Sequence, residues 1–115
     1  MKKLVFTLLI LFTAHAIFAQ QHRIRHLETK PYDYVDSASR TYEFDNDVID
    51  LEIINYGDAI VYVSVNQDSV STADWPVAGG AYWYRDGFIR VDKVMLITDD
   101  DDTSGPVVIQ GGYRR

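Results

Sequence analysis

Val48-Ile49-Asp50-Leu51-Glu52-Ile53-Ile54, the turn Asn55-Tyr56-Gly57-Asp58 and the return Ala59-Ile60-Val61-Tyr62-Val63-Ser64-Val65 decide the fold class of this 115-residue chain. In the first run Ile49, Leu51 and Ile53 alternate with Asp50 and Glu52. A period of two puts one face of a strand on a core and the other in water. The turn is built from residues that tolerate positive φ. The return run is apolar on both faces, so it reads as a central strand covered on both sides, or as one that meets a partner.

Working outward, Asn66 to Gly80 is a looser segment. Ala81 to Arg85 and Phe88 to Asp92 then flank Asp86-Gly87, a pair suited to a two-residue type I′ hairpin loop. Val94 to Thr98 and Val107 to Gln110 read as strands around the loop Asp99 to Gly105. Upstream, Arg40 to Phe44 is an earlier strand with Tyr42 and Phe44 inward. Six or seven short strands, cut by turn residues about every 8–12 positions, predict an all-β fold: a small antiparallel β-sandwich.

The first nineteen residues read as a cleavable signal peptide. Lys2 and Lys3 form the charged start, Leu4 to Phe12 is apolar apart from Thr7, and Ala14-His15-Ala16 and Ile17-Phe18-Ala19 are small-residue exits. Cleavage is expected after Ala19. As a helix Leu4–Ala19 spans roughly 24 Å, short of the ~30 Å hydrocarbon core, which favours a signal peptide over an anchor; a membrane role is expected only if the segment stays uncleaved. The organisation is then a signal peptide over 1–19, a flexible polar lead over 20–30 and one β-sandwich domain over 31–115. The expected location is the periplasm, the cell surface or the medium.

The chain has 11 basic and 17 acidic residues; without Lys2 and Lys3 the balance is 9 against 17, a net charge of −8. Such a surface repels nucleic acid, so no nucleic-acid partner is expected. There is no cysteine, so packing alone must stabilise the domain.

Catalytic chemistry finds little footing. After cleavage the histidines are His22 and His26, in a polar terminal stretch beside Arg23 and Arg25, and there is no Gly-x-Ser-x-Gly elbow. The run Asp99-Asp100-Asp101-Asp102 invites a calcium reading, but four consecutive aspartates lack the alternation and the bidentate Glu of an EF-hand loop. No enzyme activity, metal or cofactor is expected.

The aromatics carry more. Trp75, Tyr82, Trp83, Tyr84 and Phe88 fall within fourteen positions. With Asp86-Gly87 as a hairpin loop, Arg85 faces Phe88, Tyr84 faces Ile89, Trp83 faces Arg90 and Tyr82 faces Val91. Tyr82, Tyr84, Ile89 and Val91 then form the inward set. Trp83, Arg85, Phe88 and Arg90 form an outward set, which is the candidate binding patch.

Leu51-x-Ile53-x-Asn55-x-Gly57, Val61-Tyr62-Val63 and Pro76-Val77-Ala78-Gly79-Gly80, followed by further short strands, resemble small β-sandwich proteins of tailed-phage virions. The resemblance covers about half the chain and implies a structural or adhesive role. The expected function is an exported, non-catalytic β-sandwich module that binds a protein or glycan partner. The alternatives are a structural component of an assembly such as a virion, self-associating through a bare strand, and a carbohydrate-binding module using Trp83.

Overall fold

The computed structural model describes residues 26–114; the signal peptide over 1–19, His22 and the first part of the polar lead lie outside the described residues. Seven strands follow in chain order: β1 (His26–Tyr32), β2 (Arg40–Asn55), β3 (Val61–Val65), β4 (Trp75–Val77), β5 (Tyr82–Arg85), β6 (Val91–Thr98) and β7 (Val107–Tyr113). Every pairing is antiparallel, in the order β1-β7-β2-β6-β3-β4, with β5 also on β2. β1 begins at His26, inside the stretch read as a flexible lead. That stretch has little apolar content, but the β7 backbone supplies the ladder that orders it from His26↔Tyr113 to Tyr32↔Val107.

β2 organises the rest. Its first part pairs with β6 and its second part lies between β7 and β5, so the sheet folds on itself along this strand. The two halves enclose one core of thirteen buried apolar residues, eight of them valine. Leu51, Ile53, Val107 and Ile109 come from one half, and Val61, Val63, Val94 and Leu96 from the other. Valine and isoleucine are stiff at χ1 and fit a pleated surface, and each buried side chain contributes about 1.5–3 kcal/mol. β3 lies between β6 and β4, with Val61, Val63 and Ser64 buried, as its two-faced apolar pattern implies.

One phase differs from the sequence reading. Val48, not Ile49, joins Leu51 and Ile53 in the core, because the β2–β7 register slips between Val48 and Asp50. The extra residue at Ile49 rotates it off the core face.

The hairpin at Asp86-Gly87 does not form. β5 and β6 each pair with β2, along the same edge, and not with one another. From Leu51↔Arg85 to Val48↔Val91, β2 advances three residues while the facing chain advances six. From Val48↔Val91 to Glu43↔Lys93, β2 advances five while β6 advances two. The irregularities cancel: three surplus residues bulge from the 86–90 linker and three from β2. A hydrogen bond from the Phe88 amide to the Ile49 carbonyl (3.1 Å) holds the linker against β2.

The β2 bulge leaves backbone amides without ladder partners, and Glu28 of β1 satisfies them. Its carboxylate accepts from the Asp45 amide (3.0 Å), the Asn46 amide (3.1 Å), Asn46 Nδ2 (2.7 Å) and the Tyr42 hydroxyl (2.6 Å). Desolvation alone would raise the Glu28 pKa, but the donors from Tyr42, Asp45 and Asn46 together hold it below its ordinary 4.5. Desolvation and the same bond to Glu28 push the Tyr42 phenol up to about 12.

At the opposite end of β2 the predicted turn closes around a buried amide. Asn55 Nδ2 donates to the carbonyls of Ala59 (2.7 Å), Val77 (3.0 Å) and Ala78 (3.3 Å). Its Oδ1 accepts from the Gly57 amide (3.0 Å) and the Ser104 hydroxyl (2.8 Å). One side chain thus ties the β2–β3 turn to the end of β4 and to the loop before β7. Gly57 is required there, since a Cβ would strike Ser104 Oγ and the Gly105 backbone.

Candidate binding surface between β4 and β5

In antiparallel sheets directly paired residues share a face. Trp83 pairs with buried Ile53, and Arg85 with buried Leu51, so both project toward the core side. Tyr82 and Tyr84 pair with Ile54 and Glu52 and project outward. Trp75 of β4 pairs with buried Val63 and likewise faces the core side. A turn in which the Ser71 amide donates to the Asp74 carboxylate (2.7 Å) and the Asp74 amide to the Ser71 carbonyl (3.0 Å) delivers Trp75 to β4.

The register reverses the two faces expected of this segment. Tyr82 is 70% exposed, Tyr84 is 46% exposed and Ile89 is 99% exposed; only Val91 of the expected inward set is buried. Trp83 and Phe88, expected outside, pack against the core. The physical reason is the pairing partner. Strand β2, rather than the other arm of a hairpin, sets which side of β5 looks inward.

The four candidate patch residues divide. Trp83, Arg85 and Phe88 come together with Trp75, which the sequence reading noted among the clustered aromatics but left out of the patch. The Trp75 and Trp83 rings lie 6.3 Å apart, tilted by 35°. Arg85 Cζ is 5.6 Å from the centres of both the Trp75 and Phe88 rings, within cation–π range. Arg90 stands elsewhere, with Nε 2.7 Å from Asp92 and 3.3 Å from Asp47. These exposed pairs contribute little to stability, and they engage the charge that a patch would need.

The outcome is a seam where the Trp75 side chain of β4 meets the Trp83 side chain of β5. Trp83 and Phe88 form its half-buried floor, and Trp75, 53% exposed, forms its rim. Arg85 lies against the rim. On the outer side of β5, Ile49, Tyr84, Phe88 and Arg114 line an open groove of about 360 Å³.

Among the described residues, no three His, Cys, Asp or Glu side chains converge on a point where a metal ion would sit. The Asp99–Asp102 loop is organised internally. The Asp100 amide donates to Asp99 Oδ1 (2.8 Å), the Asp102 amide to the Asp99 carbonyl (3.1 Å) and the Thr98 hydroxyl to the Asp102 carbonyl (2.7 Å).

No family model matches the sequence, and neither does any curated protein. Among solved structures the chain is similar to a "putative mannose-6-phosphate isomerase" of Ralstonia eutropha, with 11% identity and a TM-score of 0.39 over 79% of this chain and 75% of that one. It is similar to the cupin domain of Drosophila melanogaster CENP-C, with 12% identity and a TM-score of 0.39 over 76% of this chain and 59% of that one. The Drosophila NLP core aligns at 18% identity and a TM-score of 0.35, over 80% and 98% of the two chains.

Proposed function

We propose that the protein is an exported, non-catalytic β-sandwich module that binds a partner through the Trp75–Trp83–Arg85–Phe88 seam. The observation that carries this reading is the placement of the chain's two tryptophans. Both stand in one seam with one of them half in water, where a partner can bury large, rigid apolar surface at little entropic cost. An aromatic pair needed only to fill the core would have no reason to leave Trp75 on the rim. Export is supported by the signal-peptide pattern of residues 1–19.

Calorimetric titration of the protein and its Trp75→Ala variant against soluble oligosaccharides and against peptides tests the binding role. A ligand that binds the parent and loses at least tenfold in affinity to the variant is expected. Ligands that bind both proteins equally would remove the seam from the function. Mass spectrometry of exported material should find a chain beginning at Gln20 or Ile17, and an intact Met1 on that material would overturn the export reading.

A second reading, a structural component of a larger assembly, draws on the outward face of β5. There Tyr82, Tyr84 and Ile89 present apolar surface beside the groove. Sedimentation across a concentration series separates the two: this reading requires self-association that Ile89→Asp abolishes.

A further inference from the structure

Arg85 differs from its basic neighbours in what surrounds it. Arg90 is paired with Asp47 and Asp92, and Lys93 Nζ is 2.7 Å from Asp68. Arg85 has Trp75 and Phe88 beside it, and among the described residues no carboxylate and no hydrogen-bond acceptor. Asp74, next to Trp75 in the chain, is already held by the Ser71 amide. Arg40, which lies over Tyr32 and Tyr34, shares this kind of aromatic surround, but Arg85 is the arginine that has it beside both tryptophans. Aromatic neighbours attract the guanidinium charge without using its N–H donors, which stay available to a ligand. A guanidinium with free donors can bind a carboxylate as a fork, by donating two parallel hydrogen bonds.

Building on the seam as the binding surface, we infer that its ligand is an otherwise neutral oligosaccharide carrying one carboxylated sugar. The apolar faces of the sugar rings would lie on Trp75 and Trp83, and the carboxylate would take the Arg85 fork. A single carboxylate follows from charge. The domain's strong net negative charge repels a polyanion at long range, while one unpaired cation at the seam rewards one anionic group. A sugar rather than a peptide follows from the edges. Peptides dock on sheets by adding a strand, but β4 is three residues long with Pro76 at its centre, and β5 is four. Such edges give few main-chain hydrogen bonds, whereas stacking needs only the ring faces.

The test titrates the protein with sialyllactose, its methyl ester and lactose, and with a glucuronic-acid-capped xylobiose and its ester. A short peptide ending in a free carboxylate, and its amide, complete the set. The acidic sugars are expected to bind at least about tenfold more tightly than their esters, since a charge-assisted bidentate contact is lost on esterification. Arg85→Gln should remove that discrimination, and Arg85→Lys should keep only part of it, because an ammonium cannot form the fork. Arg85 is exposed and only its contacts with Trp75 and Phe88 are at stake, so both variants should stay folded with a melting temperature within a few degrees of the parent's. Equal binding of acid and ester, or discrimination that survives Arg85→Gln, overturns the inference while a seam that still binds sugars keeps the binding reading intact. Binding of the carboxylate peptide alone overturns the sugar as ligand. Binding of none of them, with Trp75→Ala also silent toward every other partner tried, overturns the inference and the seam together.

Discussion

Replacing Asn55 by alanine should be among the most damaging single changes in the chain. The side chain is 1% exposed; its two Nδ2 hydrogens are shared among three carbonyls and its Oδ1 accepts two hydrogen bonds. Truncation leaves the Val77 carbonyl and the Ser104 hydroxyl buried without that partner, while Ala59, Ala78 and Gly57 lie close enough to the surface to recruit water. A buried group left unsatisfied costs about 1–3 kcal/mol, so two of them, with the small cavity, give a loss of about 3–5 kcal/mol. For a domain of this size that lowers the melting temperature by about 12 °C or more. Urea denaturation measures it directly, and the m value should not change, because the same surface unfolds. Asn55→Asp provides the control on mechanism. It keeps an acceptor for Gly57 and Ser104 but sets an oxygen against the Ala59, Val77 and Ala78 carbonyls. Its carboxyl should therefore have a folded-state pKa raised above the unfolded one, so the variant is most stable in acid and loses stability as pH rises through the folded value. A loss below about 1 kcal/mol for Asn55→Ala, or no pH dependence for Asn55→Asp, would refute the claim that this amide ties three segments together.

Four further outcomes follow from the same fold. Because the folded pKa of Glu28 lies below 4.5, its contribution is complete above that value and disappears as pH falls through the folded pKa; Glu28→Gln should flatten the acid limb of a melting-temperature profile. The Tyr42 phenol, raised to about 12, stabilises the fold below pH 10 and ceases to as pH climbs from 10 towards 12, so Tyr42→Phe should remove part of the alkaline limb. Trp83→Ala should cost about 2–4 kcal/mol and Tyr84→Ala under about 1.5 in chemical denaturation; the reverse order would restore the hairpin register. Gly111→Ala places a Cβ 2.6 Å from the Phe44 ring and 2.7 Å from Val48, and should lower stability by about 1–3 kcal/mol in the same assay.

What was legible in the sequence was the strand pattern and its turn chemistry. Leu51 and Ile53 are core residues, Asn55 to Asp58 turns the chain, and β3 is a covered strand, all from alternation and from residues that favour turns. What local sequence could not carry was the choice of pairing partner. Asp86-Gly87 has the composition of a hairpin loop, yet Tyr82 to Arg85 finds in β2 a longer strand whose Leu51 and Ile53 already face the core. Long-range pairing overrides a two-residue preference, and every side chain from Tyr82 to Arg85 changes face with it. The slip at Ile49 is another example, since a one-residue bulge leaves no mark in an apolar run. At the candidate site, composition picked out a cluster of aromatics, and the fold brings Trp75, Trp83 and Phe88 of that cluster together. Trp75 is missing from the patch read from sequence because its face is set by its pairing with Val63 of β3, which local sequence does not show.

The central claim, that partners meet this protein at the seam, is tested most directly by the indole N–H resonances in a ¹H–¹⁵N spectrum. The chain has two tryptophans, and both lie in the seam, so the indole region reports that surface and little else. Titration with a bound ligand, beginning with sialyllactose, should move both indole signals together, along a curve that matches the calorimetric affinity. A ligand that binds with that affinity while both indole signals stay in place would contradict the account.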